Sequence, residues 1–100
     1  MSGHIDLDLC LDVLRRHLPD LEEHFHVRSL GVFGSYVRHE EKEGSDLDIL
    51  VSFAEVPSLL RFLALENHLS DLLGVRVDLV MEDALKPQIG ERILSEVVAI

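Results

Sequence analysis

"GVFGSYVRHEEKEGSDLDILVSF" (residues 31–53) sets two apolar runs around a polar interval. The first run, residues 30–33, stops at Gly34-Ser35, and ten residues follow, five of them charged. Then Asp46-Leu47-Asp48 heads the second run. Carboxylates at the start of a buried strand are costly unless a cation shares the site. Alternate side chains of a strand share a face. Asp46, Asp48, Leu50 and Ser52 therefore fall together, and Leu47, Ile49, Val51 and Phe53 form the opposite, core-facing set. Two like charges this close repel, and a divalent ion removes the conflict. Mg²⁺ suits such a pair, because it takes one or two carboxylates and completes its shell with waters and phosphate oxygens.

Downstream, "VRVDLVM" (75–81) reads as a further strand with Asp78 in its apolar middle. A carboxylate there needs a partner. If this strand lies beside 47–53, Asp78 joins Asp46 and Asp48. Three carboxylates around two Mg²⁺ ions, ~3.5–4 Å apart, equip a site for in-line displacement at phosphorus. Gly34-Ser35 fits the same chemistry. Glycine lets a phosphate approach the backbone, the serine hydroxyl adds a donor, and Arg38 follows one turn later.

The flanking segments complete an α/β (α+β) pattern. Leu7, Leu11, Leu14 and Leu18 make a helical stripe over residues 5–18, which Pro19 is expected to end. Residues 26–33 and 47–53 read as strands, with a short helix over 36–40 and a loop over 41–45. Pro57 opens a helix over 58–73, and Gly74 caps its end. Lys86-Pro87 opens a last helix through about Val98. The expected order is α-β-α-β-α-β-α, a small mixed sheet of about three strands flanked by helices. No repeat, low-complexity tract or linker interrupts it, so residues 1–100 are expected to form a single domain.

Composition narrows the function. The chain has 100 residues, 47% of them hydrophobic, and a formal net charge of −10. Both halves are acidic, so direct nucleic-acid binding is not expected. No run is long enough to span a bilayer, and "MSGHIDLDLC" lacks the basic start of a secretory signal. Cys10 is the single cysteine, which fits a reducing cytoplasm and the role of a small buried hydrophobe.

Gly34-Ser35, ten residues, then Asp46-Leu47-Asp48 resembles the G-S-x10-D-x-D signature of polymerase-β-like nucleotidyltransferases. Chance odds for these fixed positions at one place are on the order of 10⁻⁵. "SDLDILV" is similar to that superfamily's metal-binding strand, and Asp78 falls at its third carboxylate. Length and layout resemble the minimal nucleotidyltransferase (MNT) subfamily over nearly the whole chain. The resemblance implies the nucleotidyltransferase fold and an enzyme that moves AMP from ATP to a hydroxyl acceptor. It implies Asp46, Asp48 and Asp78 as catalytic, metal-holding residues for two Mg²⁺ ions, and Gly34, Ser35 and Arg38 as nucleotide-binding residues. With no room for an acceptor-binding domain, the implied acceptor is a tyrosine of a partner HEPN-domain toxin held in a hetero-oligomer, the chain acting as its antitoxin. The alternatives are an antitoxin that works by binding alone and a small-molecule nucleotidyltransferase.

Val37 and His39 depart from the subfamily, which often has Ala and Gly there. Other readings are structural: Ser35 as a helix cap, Asp46 as a turn residue, Asp78 as a partner of Arg76. His24 and His26 lack further ligands at zinc-like spacing and read as structural. Tyr36 and His39 face either substrate or solvent, and Glu40, Glu41 and Glu43 belong to a solvated loop.

Overall fold

Helix α1, Leu7–Phe25, starts where the Asp6 side chain accepts a hydrogen bond from the Leu9 N–H at 2.8 Å. The computed structural model describes residues 6–40, 42 and 45–100. The expected helix start at Ile5 and the loop acids Glu41 and Glu43 lie outside the described residues. Pro19 does not end α1 but sits inside it. A proline there removes one helical hydrogen bond. Burial outweighs that loss, because Leu21 and Phe25 extend the apolar stripe of Leu14 and Leu18 by another two turns. The helix stops at His26, which takes the left-handed conformation at φ 57°.

Strand β1, Val27–Phe33, leads into a 3₁₀ turn at Gly34–Tyr36, and strand β2 covers Leu47–Phe53. The expected short helix over 36–40 is therefore a single tight turn placed two residues earlier. Helix α2, Leu59–Leu73, is capped by Ser58 rather than opened by Pro57, and Gly74 closes it at φ 71°. Strand β3, Val77–Met81, helix α3, Pro87–Glu96, and strand β4, Val98–Ala99, follow. Lys86 and Pro87 open α3 as expected.

The sheet has the order β3-β2-β1-β4. β1 runs antiparallel to both β2 and β4, while β2 and β3 run parallel across the α2 crossover. It is thus a mixed sheet, with four strands instead of about three. β4 has two residues, too few for any periodic signal, and its pairing with Gly31 and Val32 ends α3 at Glu96 rather than near Val98.

Leu47, Ile49, Val51 and Phe53 face α1 and α2, packed in one apolar cluster with Leu14, Leu65 and Leu69. Cys10 is buried within it. Two α2 side chains also serve the outer edge of β3: Ser70 accepts from the Val77 N–H, and Glu66 from the Leu79 N–H, both at 3.0 Å. These bonds satisfy an edge strand and fix the backbone on either side of Asp78. On the other sheet face, α3 comes down over β1, and β4 pairs along the edge of β1. A Cβ on Gly31 would sit 2.5 Å from the Val97 side chain, so glycine is needed for that approach.

Candidate active site

Parallel pairing sets Asp48 of β2 directly opposite Asp78 of β3, and antiparallel pairing sets Asp48 beside Phe33 of β1. Gly34 comes next in the chain. It is buried, with φ at +81°, and a Cβ there would overlap the Asp48 carboxylate, lying 2.9 Å from its Cγ. Glycine is thus required twice, for the backbone twist and for the space. The bonds Arg38 N–H to Gly34 C=O (3.2 Å) and Glu40 N–H to Ser35 C=O (2.9 Å) fold residues 34–40 into one compact turn. Gly34, Arg38 and Asp48 then line a single cavity of about 280 Å³, closed on its far side by Ile89, Arg92, Ile93 and Glu96 of α3.

Asp48 is half-buried. Burial first, then the negative charges of Asp78 and Asp46, push its carboxyl from the usual 3.8 up to about 6. Arg38 opposes the rise, and a hydrogen bond with Asp78 adds to it. Like-charge crowding of this kind is relieved by a bound cation. The donor set fits a hard divalent ion: oxygen ligands only, on two adjacent strands, with Asp46 just ahead of β2. Asp46 and Asp78 are both exposed. The three carboxylates form a more open group than Asp20, Glu23 and His24 of α1. That exposed trio is the one set, among the described residues, whose ligand atoms all lie within 4.8 Å of one another. It groups residues one helical turn apart on a solvated face, and His26 has no part in it.

Other expected residues fall as follows. Ser35 is half-buried next to Gly34, its hydroxyl making no hydrogen bond among the described residues, so it caps nothing. No ion pair joins Arg76 to Asp78 among the described residues. Tyr36 faces neither substrate nor solvent but is buried in the core, 1% exposed. His39 stands where the family often has Gly and adopts the left-handed conformation itself, at φ 57°. The turn therefore survives the substitution.

Glu96 is a participant that the sequence did not announce. Its Oε1 accepts from the Gly34 N–H at 3.0 Å and from Arg38 Nη1 at 2.8 Å. Arg38 Nε donates to Glu40 at 3.1 Å. Glu40 and Glu96 together keep the guanidinium firmly charged. The Gly34 N–H, expected to face phosphate, is thus engaged by a side chain 62 residues away in the chain. Only the α3–β4 return makes that contact, and no local spacing signals it.

Carboxylates on adjacent strands beside a glycine-serine turn and an arginine are the equipment of phosphoryl-transfer enzymes. The chain belongs to the nucleotidyltransferase domain family, whose pattern matches residues 14–100. It is 58% identical to the protein adenylyltransferase MntA of Thermococcus cleftensis over 86 residues, 86% of this chain and 87% of that one. It is 49% identical to a provisionally named protein adenylyltransferase of Methanocaldococcus jannaschii, over 87% of this chain and 90% of that one. Among solved structures, a provisionally assigned minimal nucleotidyltransferase superposes with a TM-score of 0.81 at 39% identity, covering 99% of this chain and 100% of that one. The fold also recurs, at 21% identity and a TM-score of 0.58, in a tri-AMPylated HEPN toxin of Shewanella oneidensis in complex with its MNT antitoxin. That match covers 89% of this chain and 63% of the other.

Proposed function

We propose that this chain is a protein adenylyltransferase that moves AMP from ATP onto a tyrosine hydroxyl of a HEPN-domain toxin, with release of pyrophosphate, and so acts as its antitoxin. The observation that carries the reading is Asp48 held opposite Asp78 and against the Gly34 turn. The relatives' names support the reaction class, and the toxin–antitoxin complexes of the same fold support the partner. Val56, ahead of α2, and Leu59 and Leu60 in its first turn are 85%, 72% and 80% exposed, apolar side chains open to a protein partner in a hetero-oligomer.

Asp46, Asp48 and Asp78 would hold the divalent metal, two Mg²⁺ ions in the full site. Bound there, the metal supplies charge neutralisation and Lewis acidity at phosphorus. The chain's own residues position the reactants. Arg38 binds the phosphate tail through those N–H groups not taken by Glu40 and Glu96, and the Ser35 hydroxyl adds a donor. Asp78, exposed on its strand, is the carboxylate that would take the proton of the acceptor hydroxyl. The deprotonated oxygen attacks the α-phosphorus, forming the new O–P bond as the bond to pyrophosphate breaks and pyrophosphate leaves. Only Asp48 among the three carboxylates is half-buried, so the site works mainly by aligning the reactants.

The test is incubation of the chain with α-labelled ATP, Mg²⁺ and a HEPN protein from its own gene neighbourhood. Label on a tyrosine of the partner is the expected result. Label only on a small acceptor, or none beside tight partner binding, would assign the chain to one of the two alternatives.

A further inference from the structure

We infer that Glu96 is a positioning residue for the triphosphate tail: its carboxylate presets the Gly34 backbone and the Arg38 guanidinium before nucleotide arrives. The inference rests on the nucleotidyltransferase reading above and adds a residue to it. Glu96 is the last residue of α3, where the helix dipole disfavours an acid. A residue placed against local preference is held there by something else. Here the compensation is two donors on one oxygen, the Gly34 N–H at 3.0 Å and Arg38 Nη1 at 2.8 Å, with the Glu96 side chain only 25% exposed.

Both donors belong to the turn that approaches Asp48. Gly34 is held at φ +81° against the Asp48 carboxylate, a conformation the turn must keep for the cavity to exist. Arg38 is clamped at two points, Nε by Glu40 and Nη1 by Glu96. A guanidinium has five N–H donors, so both clamps together leave donors for phosphate oxygens. A side chain already fixed loses little entropy when a ligand binds. Arg92 lines the same cavity and adds a positive charge to it. Glu96 itself is anchored by the strand that follows, Val98 and Ala99 pairing with Val32 and Gly31.

Isothermal titration of the full chain with ATP and Mg²⁺ tests this without relying on turnover. Glu96→Ala should weaken ATP binding about tenfold or more, the scale of one lost charge-assisted hydrogen bond. Glu96→Gln keeps a neutral acceptor for Gly34 and should fall between Glu96→Ala and the unaltered chain. In an Arg38→Gln background, Glu96→Gln should cost much less, because its main partner is gone. A merely structural role would lower the melting temperature and leave this non-additivity absent. Unchanged or tighter ATP binding in both Glu96 variants overturns the inference, the tighter result meaning that the carboxylate competes with phosphate. If Glu96→Ala fails to fold, the near-isosteric Glu96→Gln decides. An unaltered chain that does not bind ATP sinks the nucleotidyltransferase reading and this inference with it. Normal binding there beside indifferent variants sinks only the role of Glu96.

Discussion

Asp48 is the residue whose ionisation the fold resists. In the unfolded chain its carboxyl titrates near 3.8, and in the folded chain at about 6. The folded state therefore holds that proton more tightly. Without metal, the contribution of this group to stability is greatest below 3.8, declines as pH rises through the window to about 6, and stays low above it. Asp48→Asn should flatten the decline and raise metal-free stability at pH 7, while abolishing transfer of AMP. Urea melts at pH 5 and pH 7, in chelator, check this; a variant no more stable than its parent at pH 7 would refute the crowding argument. At Gly34, a methyl group alone meets the Asp48 carboxylate. Gly34→Ala should cost about 1–3 kcal/mol by overpacking and remove ATP binding. Retained stability and affinity together would show that the turn yields. The sequence made Asp46, Asp48, Asp78 and Gly34 visible because each is a local anomaly, a charge or a glycine where apolar strand is expected. Tyr36 breaks no local rule, and Glu96 breaks the helix-end preference only because α3 stops there, short of the end expected near Val98, so their places come from packing across the chain.

Among the elements, strand β2 was legible to the residue because its core face alternates strictly. α1 was not. A proline is a strong stop signal, yet burial of Leu21 and Phe25 beyond it outweighs one missing hydrogen bond. Pro19→Ala should accordingly raise stability by about 1–3 kcal/mol, since it restores that bond where the backbone is already helical. Thermal unfolding measures it, and a neutral or lower melting temperature would mean that the helix is shaped around the proline. β4 escaped notice for the opposite reason, being a pairing of two residues with no pattern of its own.

For the whole molecule, the element order was readable and the closure was not. α3 crosses the sheet face that carries Asp48, and Val97 rests on Gly31. This contact ties the end of the chain to its first strand. Gly31→Val should push α3 and β4 outward, loosen Glu96 from the Gly34 turn, and weaken ATP binding several-fold with every motif residue intact. Calorimetry beside a melting curve separates that effect from general loss of fold; full affinity in a folded Gly31→Val protein would show that the turn holds its shape unaided.

The in-register pairing of Asp48 with Asp78 joins two strands that meet only after the α2 crossover is complete. Under the proposed function, an ion shared by them would bind the native chain and not the denatured one. Stability then obeys mass action, each tenfold rise in free Mg²⁺ above its dissociation constant adding about 1.4 kcal/mol. Melting temperature should climb with the logarithm of Mg²⁺ concentration, collapse on chelation, and stay level in Asp48→Asn. A level response in the unaltered chain would place the ion elsewhere. On the proposed metal assignment, an ion held across this ladder would act as a removable crosslink between β2 and β3.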